Sequence, residues 1–389
     1  MIDYSRVLNR KVSEIKPSGI RKFFDIAATM EDVISLGVGE PDFNTPWVVR
    51  KAGIASLERG KTKYTSNRGL ISLREEISSY IGRKTGVEYS PEREVLVSVG
   101  GSEAIDVAVR ALVSCGDEVI IPQPSYVCYE PITLLAGGVP VIIETKAEND
   151  FKVTAEELKA AITPKTKALI LPYPCNPTGA VMEKQDLEEI AEVLKNTDIM
   201  IISDEIYSEL TFTKSGHTSI ASIPDMRERT ILVSGFSKAF SMTGWRLGYA
   251  CGPEEIITQM TKIHQFSIMC APTTAQYAAI EALRSCEDAV NDMKAEYDRR
   301  RKLMIAGFNR MGLECLEPKG AFYTFPSIKS TGLSSDEFCE RLLKSEHVAV
   351  VPGTAFGLGG EGFIRASYCY STEHIIEALE RIERFIKNI

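Results

Sequence analysis

Ser234-Gly-Phe-Ser-Lys238-Ala-Phe-Ser-Met-Thr-Gly-Trp-Arg246-Leu-Gly248 sets a lysine just behind a short apolar run, 230–234, that reads as a buried strand. Small and apolar neighbours surround that lysine. Desolvation lowers the pKa of an ammonium until the amine becomes a competent nucleophile for Schiff-base chemistry. Taken alone, a loop lysine reaching to water is the plainer reading. Arg246 follows with a permanent charge and a planar fork that suits a phosphate.

Outward from this segment, short β-branched runs alternate with amphipathic stretches. Candidate strands lie at 94–99, 118–121, 139–143, 168–171, 199–203, 230–234 and 247–251. Helical patterns at 102–114, 154–161 and 184–195 separate them. This alternation predicts an α/β fold, a mostly parallel seven-stranded sheet covered by helices. Ser72…Glu75, Thr154…Glu157 and Ser334…Glu337 carry the S/T-x-x-E signature of a helix start. Pro122-Gln-Pro124, Pro172-Tyr-Pro174 and Asn176-Pro-Thr-Gly179 come after strands at their carboxyl edge, where open α/β sheets bind ligands.

A long helical pattern then covers 271–300. After it the texture becomes α+β, with strands at 321–325, 348–351 and 363–369 and helices at 335–345 and 372–386. These patterns predict a large domain over 46–285 and a smaller α+β domain over 286–389. The first 45 residues are too short to fold alone and are expected to pack on the smaller domain as an arm.

Composition narrows the function classes. The chain has 389 residues, two to three domains at ~150 residues each. Hydrophobic residues at 44% and charged residues at 25% exclude disordered and collagen-like chains. With 45 basic against 53 acidic side chains the net charge is −8, which argues against nucleic acid or an anionic membrane as partner. Nine scattered cysteines form no C-x-x-C pair, so they read as reduced thiols of a cytoplasmic protein. The start lacks the apolar core of a signal peptide, and no run nears the ~20 apolar residues of a spanning helix. The histidines (217, 264, 347 and 374) stand apart from Cys or Asp at ligand spacing, so no metal site is expected. Gly357-Leu-Gly359-Gly-Glu-Gly362 matches the dinucleotide fingerprint on paper, but it leads into Phe363-Ile-Arg-Ala-Ser-Tyr368, a strand pattern where the fingerprint needs a helix.

The 234–248 segment resembles the lysine signature of the class I/II pyridoxal-phosphate-dependent aminotransferases. Seven further motifs stand in the family's order: Leu36-Gly-Val-Gly-Glu-Pro-Asp-Phe43, Tyr64-Thr-Ser-Asn-Arg-Gly69, Val99-Gly-Gly-Ser-Glu-Ala104, Pro124-Ser-Tyr126, Asn176-Pro-Thr-Gly179, Ser203-Asp-Glu-Ile-Tyr207 and Ile364-Arg365-Ala-Ser367. Each alone has an ordinary structural reading: a strand–helix turn, a capping aspartate, a tight turn, a surface ion pair. Together they span nearly the whole chain.

The resemblance implies pyridoxal 5′-phosphate as cofactor. Gly101, Ser102 and Glu103 fall in its phosphate loop, where free N–H groups at a helix start hold an anion. Ser102 and Ser237 add hydroxyls, and Arg246 neutralises the charge. Asp204 would face the pyridine nitrogen and keep it protonated, preserving the electron sink. Tyr207 and Asn176 would hydrogen-bond the phenolic oxygen, and Tyr126 would stack on the ring. Gly39 falls in the substrate loop. Arg365, with Asn176, would grip the substrate carboxylate bidentately.

Lys238 would hold the cofactor and then move the α-proton as general base and acid. The family also implies a homodimer in which Tyr64 reaches the neighbouring active site. The activity implied is ping-pong transamination between an L-amino acid, aromatic or aspartate-like, and a 2-oxo acid. A carbon–sulfur β-lyase of the same fold is the alternative, and a nicotinamide dehydrogenase rests only on the fingerprint glycines. Aspartate-preferring relatives commonly carry Lys where Ser102 stands, which favours aromatic donors with 2-oxoglutarate as acceptor.

Overall fold

The computed structural model describes residues 2–17, 19 and 30–389; Met1 and positions 18 and 20–29 of the N-terminal segment lie outside the described residues. After β1 (Ile34–Ser35), seven strands build the central sheet: β2 (Val95–Ser98), β3 (Glu118–Gln123), β4 (Val139–Glu144), β5 (Thr166–Leu171), β6 (Met200–Asp204), β7 (Thr230–Gly235) and β8 (Gly248–Cys251). Their order is β2-β8-β7-β6-β5-β3-β4, and β8 alone runs antiparallel to its neighbours. These are the strands expected from the sequence, each within two residues at either end.

The strands read as apolar runs because both faces are covered. Alternation sends Ile120, Leu169 and Ile201 to one face and Val119, Ile170 and Ile202 to the other, all fully buried. Each such side chain contributes about 1.5–3 kcal/mol by leaving water. The helix Lys184–Leu194 closes the first face through Leu187 and Ile190. The helices Gly101–Leu112 and Glu254–Ser267 close the second through Ile105, Ile257 and Met260.

One close approach requires glycine. Gly248 pairs with Gly235 across β7 and β8, and a Cβ on it would lie 2.5 Å from Gly100 C and 2.7 Å from Gly101 N. The bare backbone there lets the Gly101–Leu112 helix start directly against the sheet end.

A second core lies around β9 (Tyr323–Thr324), β10 (Val348–Ala349), β11 (Val351–Pro352) and β12 (Ile364–Ser367). β11, β12 and β9 form an antiparallel sheet, while β10 pairs in parallel with β1. The N-terminal segment is thereby tied to the C-terminal layer. Leu36, Phe308, Phe322, Tyr368 and Ile375 are fully buried at its centre.

Three local details depart from the sequence expectations. The strand expected over 348–351 is two strands, because the chain changes partner at Val350, from β1 to β12. The helical pattern over 271–300 is two helices, Thr273–Ser285 and Glu287–Arg310, meeting at Cys286; Glu287 and Asp288 favour a fresh N-terminus there. Ser72 is not a cap: the helix Ile71–Thr85 begins at Leu70, whose N–H is taken by Gln276 Oε1 at 2.7 Å. Thr154 and Glu157 do form a reciprocal capping box, and Ser334 Oγ accepts the Glu337 N–H. Among the described residues no helix is long and apolar enough to cross a membrane.

Candidate active site

A cavity of about 660 Å³ opens between the two cores, at the carboxyl ends of β6 and β7. Asp204, the last residue of β6, projects into it while remaining buried. Its Oδ2 accepts the Tyr129 hydroxyl at 2.8 Å and its Oδ1 accepts the Ile206 N–H at 3.2 Å. Tyr207 comes next on the same turn, its hydroxyl 3.0 Å from that of Tyr323. Lys238 lies just beyond β7 and donates from Nζ to the Gly39 carbonyl at 2.6 Å. The same amine stands 5.9 Å from the Tyr207 ring centre and 5.5 Å from that of Phe322.

On the other wall the Gly101–Leu112 helix begins without a side-chain cap, because its N-cap is Gly100 at φ 81°. Its first N–H groups therefore face an anion-attracting opening. Gly101, Ser102, Ser237 and Arg246 line this end of the cavity. Arg246 adopts a left-handed backbone conformation (φ 53°) and donates to the Thr243 carbonyl at 2.9 Å, while the Thr243 hydroxyl bonds to the Glu40 carboxylate. Tyr126 lines the cavity beside them, edge-on to Tyr129 with ring centres 6.0 Å apart.

Arg365 comes from the second core, on β12. It donates from Nη1 to Asn176 Oδ1 at 2.8 Å and from Nη2 to the Gly37 carbonyl. Its guanidinium lies between the rings of Tyr323 (4.3 Å) and Phe356 (4.8 Å). Its Nε is buried and has no hydrogen-bond partner.

The structure thus brings Gly39, Gly101, Ser102, Tyr126, Asn176, Asp204, Tyr207, Ser237, Lys238, Arg246 and Arg365 to one cavity. It does not bring Glu103 or Tyr64 there. Glu103 turns back to the Val99 N–H and to His264, and Tyr64 is 80% exposed on the outer surface. Sequence reasoning missed Tyr129, Tyr323 and Phe356, which hold Asp204, Tyr207 and Arg365 from distant positions. No spacing signal marks them. No group of His, Cys, Asp and Glu able to hold a metal ion occurs among the described residues.

The sequence model of the family described as Aminotransferase class I and II matches residues 31–382. The chain is 48% identical to an aspartate aminotransferase of Pyrococcus abyssi and 44% identical to an aromatic-amino-acid aminotransferase of Thermococcus litoralis, each alignment covering 98% of both chains. The solved aspartate aminotransferase of Thermus thermophilus with maleate superposes with a TM-score of 0.93 at 39% identity, covering 97% of this chain and 99% of that one. The chain belongs to the class I and II aminotransferases. It is a transaminase, transferring an amino group between an amino acid and a 2-oxo acid.

In this aminotransferase the two ionisable groups on the strand ends are shifted in opposite senses by the same cause. Burial pushes the Lys238 ammonium down to about 8, with the cationic Arg365 and Arg246 acting the same way and Glu40 opposing. Burial pushes the Asp204 carboxyl up to about 6, against the hydrogen bonds from Tyr129 and Ile206 that favour its charged form.

These shifts set two outcomes for the ligand-free aminotransferase. Acylation of the Lys238 amine should accelerate through a midpoint near pH 8; a midpoint near the ordinary lysine value of ~10.4 would contradict its desolvation. Asp204 binds its proton more tightly folded than unfolded, so it lowers stability once the pH exceeds the folded value of about 6 and ceases to do so as the pH falls towards 4. Asp204→Asn should therefore raise the unfolding free energy measured by urea titration at pH 7 to 8, by about 3 kcal/mol, with the gain vanishing near pH 4. Equal free energies at pH 8 would show that the buried carboxylate carries no such cost.

Proposed function

We propose that this aminotransferase works with pyridoxal 5′-phosphate attached through Lys238, and that it takes aromatic or aspartate-like L-amino acids, with aromatic donors preferred. The observation that carries the reading is a half-buried lysine amine, poised near pH 8, sharing one cavity with a buried carboxylate and an uncapped helix start.

The residues present fit that group. A cradle without side chains stands at Gly100, where a Cβ would come within 2.9 Å of Arg246 Nη2. The N–H groups of Gly101 and Ser102, the hydroxyls of Ser102 and Ser237, and Arg246 would hold the phosphate. Asp204 would pair with the ring nitrogen, Tyr207 and Asn176 with the phenolic oxygen, and Tyr126 would lie against the ring. When bound, the cofactor supplies an electron sink for the charge left on the substrate α-carbon.

The chain's own residues do the rest. The opposite charge of the ring nitrogen would hold Asp204 ionised despite its burial. Lys238 Nζ, with its pKa depressed towards neutrality, would be the base that takes the substrate α-proton and the acid that gives it back. The family's reaction proceeds in two halves, and one residue must read the α-carboxylate in both. Arg365 suits that task, with a rigid fork and an Nε still lacking a partner. The preference for aromatic donors is supported by the cations lining the cavity among the described residues: Lys238, Arg246 and Arg365 each have one of these tasks already.

We also read the protein as a cytoplasmic homodimer of two domains, divided near residue 285, with Tyr64 serving the neighbouring subunit. Large exposed apolar side chains, Tyr64 and Phe266 foremost, support an interface. Nine free cysteines suit a reducing compartment.

Borohydride reduction of the protein as purified should fix the cofactor's mass on the peptide carrying Lys238; an adduct on another lysine would overturn the assignment. Arg365→Lys should lower kcat/KM for donor and acceptor alike, by roughly 30- to 1000-fold, with the cofactor's visible absorption unchanged. A loss confined to one half-reaction would make Arg365 a side-chain selector.

A further inference from the structure

Glu103 stands in the first turn of the Gly101–Leu112 helix, yet it lies outside the cavity wall. One carboxylate oxygen accepts the Val99 N–H, and the other lies 2.7 Å from Nδ1 of His264. An ionised carboxylate only accepts, so Nδ1 carries the hydrogen and donates it. His264 comes from the Glu254–Ser267 helix and is fully buried, and its Nε2 has no hydrogen-bond partner. None of the catalytic and binding tasks assigned to the cavity residues uses this pair.

The pair solves a problem posed by Gly100. A helix start is ordinarily held by an N-cap side chain, which would occupy the N–H groups that an anionic ligand needs. Here the turn is held instead from behind, by Glu103 clipping back to Val99. A carboxylate in the first turn is itself attracted to the positive helix end and repels a phosphate placed there. Released, Glu103 would compete for the N–H groups. The donor on His264 keeps it turned away and offsets its charge.

We propose that His264, acting through Glu103, is a positioning residue for the phosphate-holding turn, and that it sets the preference for a phosphorylated over an unphosphorylated cofactor. This rests on the pyridoxal-phosphate reading of the cavity. It assigns His264 to a function at a distance from any ligand, where the sequence suggests only a core or surface histidine.

The test titrates the cofactor-free protein with pyridoxal 5′-phosphate and, separately, with pyridoxal, following absorbance. His264→Leu should weaken binding of the phosphorylated form about 10- to 100-fold while changing pyridoxal by less than about twofold. His264→Asn, whose amide can donate from nearly the position of Nδ1, should restore most of the loss. Glu103→Ala loses the clip to Val99 but also the competing charge, so it should show a selective loss smaller than that of His264→Leu, and it carries the test if His264→Leu does not fold. Equal weakening of both ligands, or unchanged binding of the phosphorylated form in the folded variants, would overturn the inference. Should the unmodified protein bind both forms equally, the cofactor reading itself fails, and this inference with it.

Discussion

Desolvation of two ionisable side chains on neighbouring strand ends is the constraint around which the molecule is arranged. Lys238 and Asp204 both leave water, and burial disfavours the charged form of each. A flexible protein would relieve that cost by letting water in. Here the strands that carry them are buried on both faces, so the side chains stay where the backbone places them. Fixed partners then tune what burial begins: Tyr129 and the Ile206 N–H restrain Asp204, and the Gly39 carbonyl takes a hydrogen from Lys238. An amine brought near neutrality is suited to moving a proton at physiological pH.

The anionic end of the cavity uses the opposite device. Instead of supplying charge through side chains alone, the fold brings a helix start to the sheet edge and leaves it uncapped. That close approach depends on absent atoms, at Gly100 and at Gly248 beneath it. The carboxylate and imidazole behind the turn hold its shape without entering it. Local backbone geometry and a buried carboxylate–imidazole hydrogen bond thus divide the work between holding and stabilising.

Arg365 connects the two cores. Its strand belongs to the C-terminal layer, its Asn176 partner to the large sheet's loops, and its Gly37 partner to the N-terminal segment. Stacking between Tyr323 and Phe356 fixes the plane of the guanidinium, so a carboxylate meets a fork that is already oriented. A contact shared by three parts of the chain also couples their packing to whatever the arginine binds.

The seven strands and the α/β class were legible in the sequence through local signals, and most residues of the cavity through eight motifs that are weak alone and resemble one family together. Buried strands read as continuous apolar runs, helix starts as Thr154…Glu157 or Ser334…Glu337, and the lysine segment by its position behind β7. Local signals misled where a distant residue decides: Gln276 takes the Leu70 N–H and displaces the expected start at Ser72, and β1 captures half of the strand expected over 348–351. Tyr129, Tyr323 and His264 carry no pattern at all, since their roles consist of hydrogen bonds to residues 75, 116 and 161 positions away. The chain's own periodicity determines which elements form and which residue types stand at strand ends. Only the packing of those elements decides which carboxylate loses water, which nitrogen keeps its proton and which side chains close around one cavity, because desolvation and hydrogen bonding depend on neighbours in space.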